Sequence, residues 1–197
     1  MSRTPKSKKE ETHHRILDVA ARAIRRDGYA GTGVAAVMKE AGLTHGGFYA
    51  HFGSRDALLV EALGRAGEES RGHVARAREL GQARGISPFR ALVETYLADE
   101  HLGRLDIGCP IAALGCDMPR QSRAVRKASA GGVEQLIAGV RSTLPHASTA
   151  MAATVAGTLV GSLQMARTLG DNAEGRAHLA SVRKTLLAQF DTSHPKH

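Results

Sequence analysis

Apolar residues recur at three- and four-residue intervals through most of this chain, and no stretch alternates with the two-residue period of a strand. Ile16, Ala20, Ala23 and Ile24 mark one face of a first helix over about residues 11–26, with Arg25 and Arg26 suited to its C-terminal end and Gly28 to stopping it. Thr32 precedes a new periodic run, which predicts a capped short helix over 33–41 with Val34, Val37, Met38 and Ala41 facing inward. Gly42 stands where a chain leaving a helix turns left-handed, and Thr44 is the next cap. The helix that follows, 45–52, puts Phe48 and Phe52 on one face and His45 and Tyr49 on another. Gly53 breaks it. Ser54 then caps a long helix to about residue 83, with Asp56 favourably placed in its first turn and a largely polar second half suited to bridging two modules.

Two short helices joined by a Gly-containing turn of three or four residues are the sequence form of a helix-turn-helix. The second helix is anchored through Phe48 and Phe52, which leaves its other face free to touch a partner. Gly46 and Gly47 stand inside it, where each costs on the order of 1 kcal/mol relative to alanine. Either the aromatic anchors tolerate them, or their missing side chains let the backbone come close to a DNA groove. The free N–H groups at the start of the next helix, with Arg55 beside them, suit a phosphate.

The stretch AGLTHGGFYAHFGSRDALL, preceded by an amphipathic helix ending at GYAGT, resembles the DNA-binding domain of TetR-type (TetR/AcrR) transcriptional regulators. The turn glycine, the aromatic pair and the Phe-Gly-Ser-Arg cap are all in register. The resemblance implies that segment 45–52 enters the major groove of double-stranded DNA. It implies phosphate contacts from Thr32, Thr44, Tyr49, His51 and Arg55, and places Gly33, His45, Gly46 and Gly47 nearest to the bases. Met38 departs from the pattern, standing where many helix-turn-helix motifs keep a small residue between the two helices. A homodimer reading a palindromic operator is also implied, since one such motif reads few base pairs. So is repression of a promoter relieved by a small-molecule effector.

Farther along, Pro88 is placed to start a helix to about residue 104, carrying Phe89, Leu92, Val93, Tyr96 and Leu97. The segment GCPIAALGCDMP reads as a short helix between two prolines, followed by a helix over 120–144 with Val125, Val133, Leu136, Ile137 and Val140. After Pro145 comes an uncharged helix over 147–166, then a last one over 173–190 with Leu179, Val182, Leu186, Leu187 and Phe190. The expected fold is all-α with about nine helices. An N-terminal three-helix helix-turn-helix domain would cover 9–69, and a C-terminal helical bundle for effector binding and dimerisation 70–197. Ala153, Gly157 and Gly161, four apart on the uncharged helix, let another helix approach closely. That neighbour is either internal or, with the last helix, a second subunit as in the family.

Composition and charge sharpen the picture. With no Trp and only seven Phe or Tyr, the core must come from Leu, Val, Ile and Ala. The first 55 residues hold ten Lys or Arg against five Asp or Glu, so +5 of the net +8 lies in that part, the footprint of a phosphate binder. The opening MSRTPKSKKE is either a solubilising tail or an arm whose Arg3, Lys6, Lys8 and Lys9 reach phosphates or the adjacent minor groove. No apolar segment follows Met1 as a secretory signal would, which predicts a cytoplasmic protein. The uncharged 147–166 stretch is long enough to span a bilayer, but Ser148, Thr149, Thr154, Thr158, Ser162 and Gln164 put a polar group in nearly every turn, so no membrane is expected.

The effector is not legible. Tyr96, His101, Cys109, Met118 and Gln164 are candidate cavity or sensing residues, each with ordinary packing or surface exposure as the alternative. Cys109, just before Pro110 and near Arg104, reads either as a small buried residue or as a thiol sensing oxidants or electrophiles. Cys116 reads as core. Seven residues apart on a helix, the two cysteines would stand about 10.5 Å apart along the axis, too far for a disulfide without unwinding. With His101 they lack a compact chelate spacing, so no metal or cofactor is expected. An enzyme using Cys109 with His101 as base lacks an orienting third group and an oxyanion site, and none is expected. An architectural DNA binder without effector would instead have a filled helical domain.

Overall fold

The first helix, α1 (Lys8–Gly31), opens on a reciprocal cap: Ser7 Oγ accepts from the Glu10 amide at 3.2 Å, and the Glu10 carboxylate from the Ser7 amide at 2.8 Å. That pair carries the helix start ahead of Glu11, where apolar periodicity alone puts it. This computed structural model describes residues 7–144 and 146–191, so Arg3, Lys6 and Pro145 lie outside the described residues. Gly28 breaks the helical backbone with φ 70° and ψ −177°, after which the chain resumes a last turn to Gly31.

Thr32 does not open the next helix. It is buried, its hydroxyl donates to the Gly28 carbonyl at 2.7 Å, and Gly33 is the N-cap of α2 (Val34–Glu40). Gly42 is left-handed as its position predicts, with the Leu43 amide donating to the Met38 carbonyl at 2.9 Å and the Gly42 amide to Lys39 at 3.0 Å. The segment expected as an α-helix over 45–52 is a 3-10 helix, His45–Ala50. Two glycines in six residues give it little intrinsic α propensity, and Phe48 is the side chain it buries. Ser54 accepts from the Ala57 amide at 3.1 Å and starts α3 (Arg55–Gln82).

The remaining elements are α4 (Pro88–Tyr96), α5 (Glu100–Gly103), α6 (Pro110–Leu114), a second 3-10 helix (Met118–Arg120), α7 (Arg123–Arg141), α8 (Thr149–Leu169) and α9 (Ala173–Phe190). Among the described residues every regular element is helical. The helix expected over 88–104 is two pieces, because Arg183 of α9 donates to the Leu97 carbonyl and, at 2.8 Å, to Asp99 at the break. α8 is long and apolar enough to cross a membrane by length and composition, yet it packs against α7 and α9 and buries Val155, Leu159 and Leu163.

Three apolar cores follow. The first joins Ile16, Ala20 and Ala23 of α1 to Val37 and Met38 of α2, to Phe48 and Phe52, and to Leu58 and Ala62 of α3. Fully burying each phenyl ring contributes roughly 1.5–3 kcal/mol. The second joins Ile24, Tyr29, Leu59 and Leu63 to Leu114, Met118 and Val125, and the third unites α4, α8 and α9 with the C-terminal end of α7. α3 runs unbroken through all of this, so a division at residues 69 and 70 falls inside a helix. At that level buried Arg25 of α1 donates to Glu69 at 2.7 Å, to the Ala66 carbonyl at 3.3 Å and to the Asp106 carbonyl at 2.7 Å, tying three segments together.

Candidate functional site

Phe48 and Phe52 stack at 5.6 Å between centroids beneath the 3-10 helix, and both are buried. The opposite edge is open: Tyr49 is 70% exposed, and Thr44, His45 and Gly46 are exposed as well. Among the described residues no atom lies within 4 Å of where a Cβ on Gly46 would stand, so packing against them does not require a glycine there. Gly47 is different, since its Cβ position is 3.7 Å from Cε of Met38. That is ordinary van der Waals contact, so Met38 and the second helix meet without crowding.

The phosphate candidates divide. Thr44 makes no capping bond and is exposed, whereas Thr32 and Arg55 face inward. Arg55 donates to the Tyr29 carbonyl and, at 3.3 Å, to the Thr32 carbonyl, so that its guanidinium secures the turn after α1. His51 is half-buried with Nδ1 lacking a hydrogen-bond partner among the described residues, and burial, then His13 and Lys9, push its pKa below the ordinary 6.5. Gly33 is half-buried at the start of α2.

Two residues went unnoticed in the sequence. His13 stacks on Phe52 at 4.6 Å and meets Glu61 at 2.9 Å, and with Lys9, His14, Ala50 and His51 it lines a groove beside the end of the 3-10 helix. The helical spacing of His13 and His14 from Lys9, four and five residues on, was the available signal for both.

In the helical domain, a cavity of about 310 Å³ opens between α3 and α7, lined by Val60, Leu63, Gly64, Cys109, Ile111, Gly131 and Leu136 among others. It shares Ser70, Arg71, Gln135 and Leu136 with a second chamber of about 240 Å³ reaching Leu92 and Tyr96, and Ser70 and Cys109 with a smaller one of about 110 Å³ beside His101. Tyr96, His101 and Cys109 therefore come together. Met118 instead packs in the second core, and Gln164 lies beside Gly115, outside these chambers. Cys109 is buried, but Cys116 is exposed, which overturns its reading as core: it follows the last turn of α6 and faces outward.

Among the described residues the Tyr96 hydroxyl is buried without an oxygen or nitrogen hydrogen-bond partner; the weakly accepting Cys109 thiol and the Arg167 guanidinium are near it, and burial, then Cys109, push its pKa well above the ordinary range. His101 places Nδ1 3.1 Å from the Tyr96 carbonyl, and burial pushes its pKa down. Arg167 donates through Nε to the His101 carbonyl at 2.9 Å.

The sequence model of the bacterial regulatory proteins of the tetR family matches residues 16–62. Among curated proteins, the HTH-type transcriptional regulator TtgR of Pseudomonas putida is 39% identical over 79 residues, 40% of this chain and 37% of that protein. The HTH-type transcriptional regulator LmrA of Bacillus subtilis is 30% identical over 122 residues, 60% of this chain and 63% of that protein. The matches thus span between 37% and 63% of these relatives' lengths. The fold matches the crystal structure of a TetR transcriptional regulator from Chloroflexus aurantiacus over 93% of this chain and 97% of that one, with a TM-score of 0.71 and 22% identity.

Proposed function

We propose that this chain, whose residues 16–62 match the model of the bacterial regulatory proteins of the tetR family, is a homodimeric, sequence-specific DNA-binding transcriptional regulator. It represses from a palindromic operator and is released by a small molecule bound in its helical domain. The observation that carries this reading is the 3-10 helix: a buried Phe48–Phe52 base beneath an exposed edge of His45, Gly46 and Tyr49. In that reading Thr44, Tyr49 and His51 meet phosphates, His45, Gly46, Gly47 and Gly33 stand nearest to bases, and Thr32 and Arg55 hold the turn that aims them. Residues 9–69 form the DNA-binding unit and 70–197 the effector-binding and dimerisation unit, with α3 as the shared lever.

Dimerisation is supported by α8 and α9. Gly157 is exposed, nothing lies within 4 Å of a Cβ on Gly157 or Gly161, and Met165 is 62% exposed on the same helix. The two glycines of the row therefore have no close neighbour among the described residues, which favours a second subunit. The apolar cavity speaks for an effector and against a purely architectural role.

The test is selection of genomic fragments on the purified protein at two salt concentrations. The expected result is one enriched palindrome with affinity falling steeply as salt rises, from the release of counterions at phosphate contacts. Fragments bound without sequence preference would refute the regulator.

A second reading is favoured by the place of Cys109 on the wall shared by two chambers: a thiol-based sensor of oxidants or electrophiles. Cys109→Ser should then abolish the oxidant response of operator binding while leaving affinity in reductant unchanged. An unaltered response eliminates that thiol.

A further inference from the structure

Gly64 and Gly67 of α3 face Gly131 and Gly132 of α7 around the larger chamber. A helix interior disfavours glycine, and close packing does not require it at Gly64 or Gly131. Among the described residues a Cβ at either would meet no atom within 4 Å, one at Gly67 only the flexible end of Arg71 at 3.0 Å, and one at Gly132 would press on Cδ1 of Ile111 at 3.2 Å. What these glycines provide is open space between two bare stretches of helix backbone.

The charge of the lining is one-sided. The polar side chains around the two connected larger chambers are Ser70, Arg71, Arg78, Tyr96, Ser129 and Gln135, all able to donate, and no carboxylate lines either chamber. Among the described residues, Arg71 and Arg78 form no ion pair: Arg71 donates to Gln135 Oε1 at 2.5 Å across the mouth, and Arg78 to Ser142 Oγ at 3.4 Å. A second observation points the same way. Tyr96, only 5% exposed, lines the inner chamber, and among the described residues its hydroxyl has no oxygen or nitrogen partner, only the weak Cys109 thiol, where a buried hydroxyl ordinarily has a strong one.

We infer that this cavity takes a planar, largely apolar carboxylic acid of bicyclic aromatic size. Its ring system lies between the backbone faces at Gly64 and Gly131 against Val60, Leu63 and Leu136, and its carboxylate draws Arg71 away from Gln135. A further acceptor on the inner side meets the Tyr96 hydroxyl. The inference rests on the reading of this domain as the effector-binding one and names the chemical class it receives. Because Arg71 lies on α3, which also carries Leu58 and Ala62 of the first core, loss of the Arg71–Gln135 bond alters a link between α3 and α7 beside the cavity.

The full-length protein is titrated by calorimetry with 1-naphthoate and with uncharged 1-naphthamide, and its operator affinity is measured separately on the same preparation. Naphthoate should bind about tenfold or more tightly than the amide, the effect of one charge-assisted hydrogen bond pair. Arg71→Gln should bring the two to equal affinity. Gly131→Leu should lose both ligands while the thermal midpoint holds or rises, because leucine is the better helix former and the space is open. Equal binding of acid and amide to the native protein overturns the inference, as does binding of neither, or naphthoate affinity indifferent to both substitutions. Failure of operator binding with Arg71-dependent naphthoate binding intact sinks the regulator and leaves the acid site standing.

Discussion

Gly46 concentrates the chemistry of the recognition edge. Among the described residues an added methyl meets nothing, so internal packing does not account for the glycine. Gly46→Ala should stabilise the fold by up to about 1 kcal/mol and weaken operator binding. Thermal melts and a direct binding titration of the same variant check both signs; unchanged DNA affinity would remove the close backbone approach. Tyr49, Phe48 and Phe52 were readable in advance, because four-residue spacing on so short a helix leaves only one way to bury two phenyl rings. Arg55 was not. Its direction is set by carbonyls of Tyr29 and Thr32, which pattern reading places in a different element. Thr32 was misread as a cap for the same reason: its hydroxyl finds the Gly28 carbonyl behind it before any amide ahead.

Among the elements, α3 has the broadest reach. Its first turns complete the N-terminal core, its middle meets α1 through Arg25 and Glu69, and its later turns wall the cavity. Arg25→Ala would strand the Ala66 and Asp106 carbonyls and leave Glu69 without its cation, so unfolding stability should fall by about 2–4 kcal/mol. Urea denaturation measures this, and a loss under about 0.5 kcal/mol, the range typical of surface positions, would show that Arg25 does not tie the segments. Tyr29 supports the same junction, with its hydroxyl 3.2 Å from Ser129 Oγ of α7. The bounds of α9 were legible from its apolar stripe, and those of α2 nearly so. The break after Tyr96 was not, because it is held by Arg183, which lies far along the chain.

For the molecule as a whole, the outward row Ala153, Gly157 and Gly161 bears on assembly. Gly157→Arg stands at an exposed position with open space, so the protomer should fold as before while the dimer dissociates. Light scattering after size exclusion reads the mass directly; a dimer surviving this substitution would move the interface off that row. Weakened operator binding should accompany the monomer, since a two-fold site needs both heads together.

Periodicity, caps and glycine placement were enough to derive an all-helical chain, its turn-linked pair of short helices and the aromatic anchors beneath an exposed edge. Those features depend on residues within a few positions of one another, where backbone geometry alone relates them. The inward aim of Arg55, the exposure of Cys116, the meeting of Tyr96 with Cys109 and the glycine-walled cavity between α3 and α7 became visible only in the folded chain. Each is a relation between residues on separate elements, set by how the apolar stripes of those elements pack, and no local pattern encodes which faces will meet.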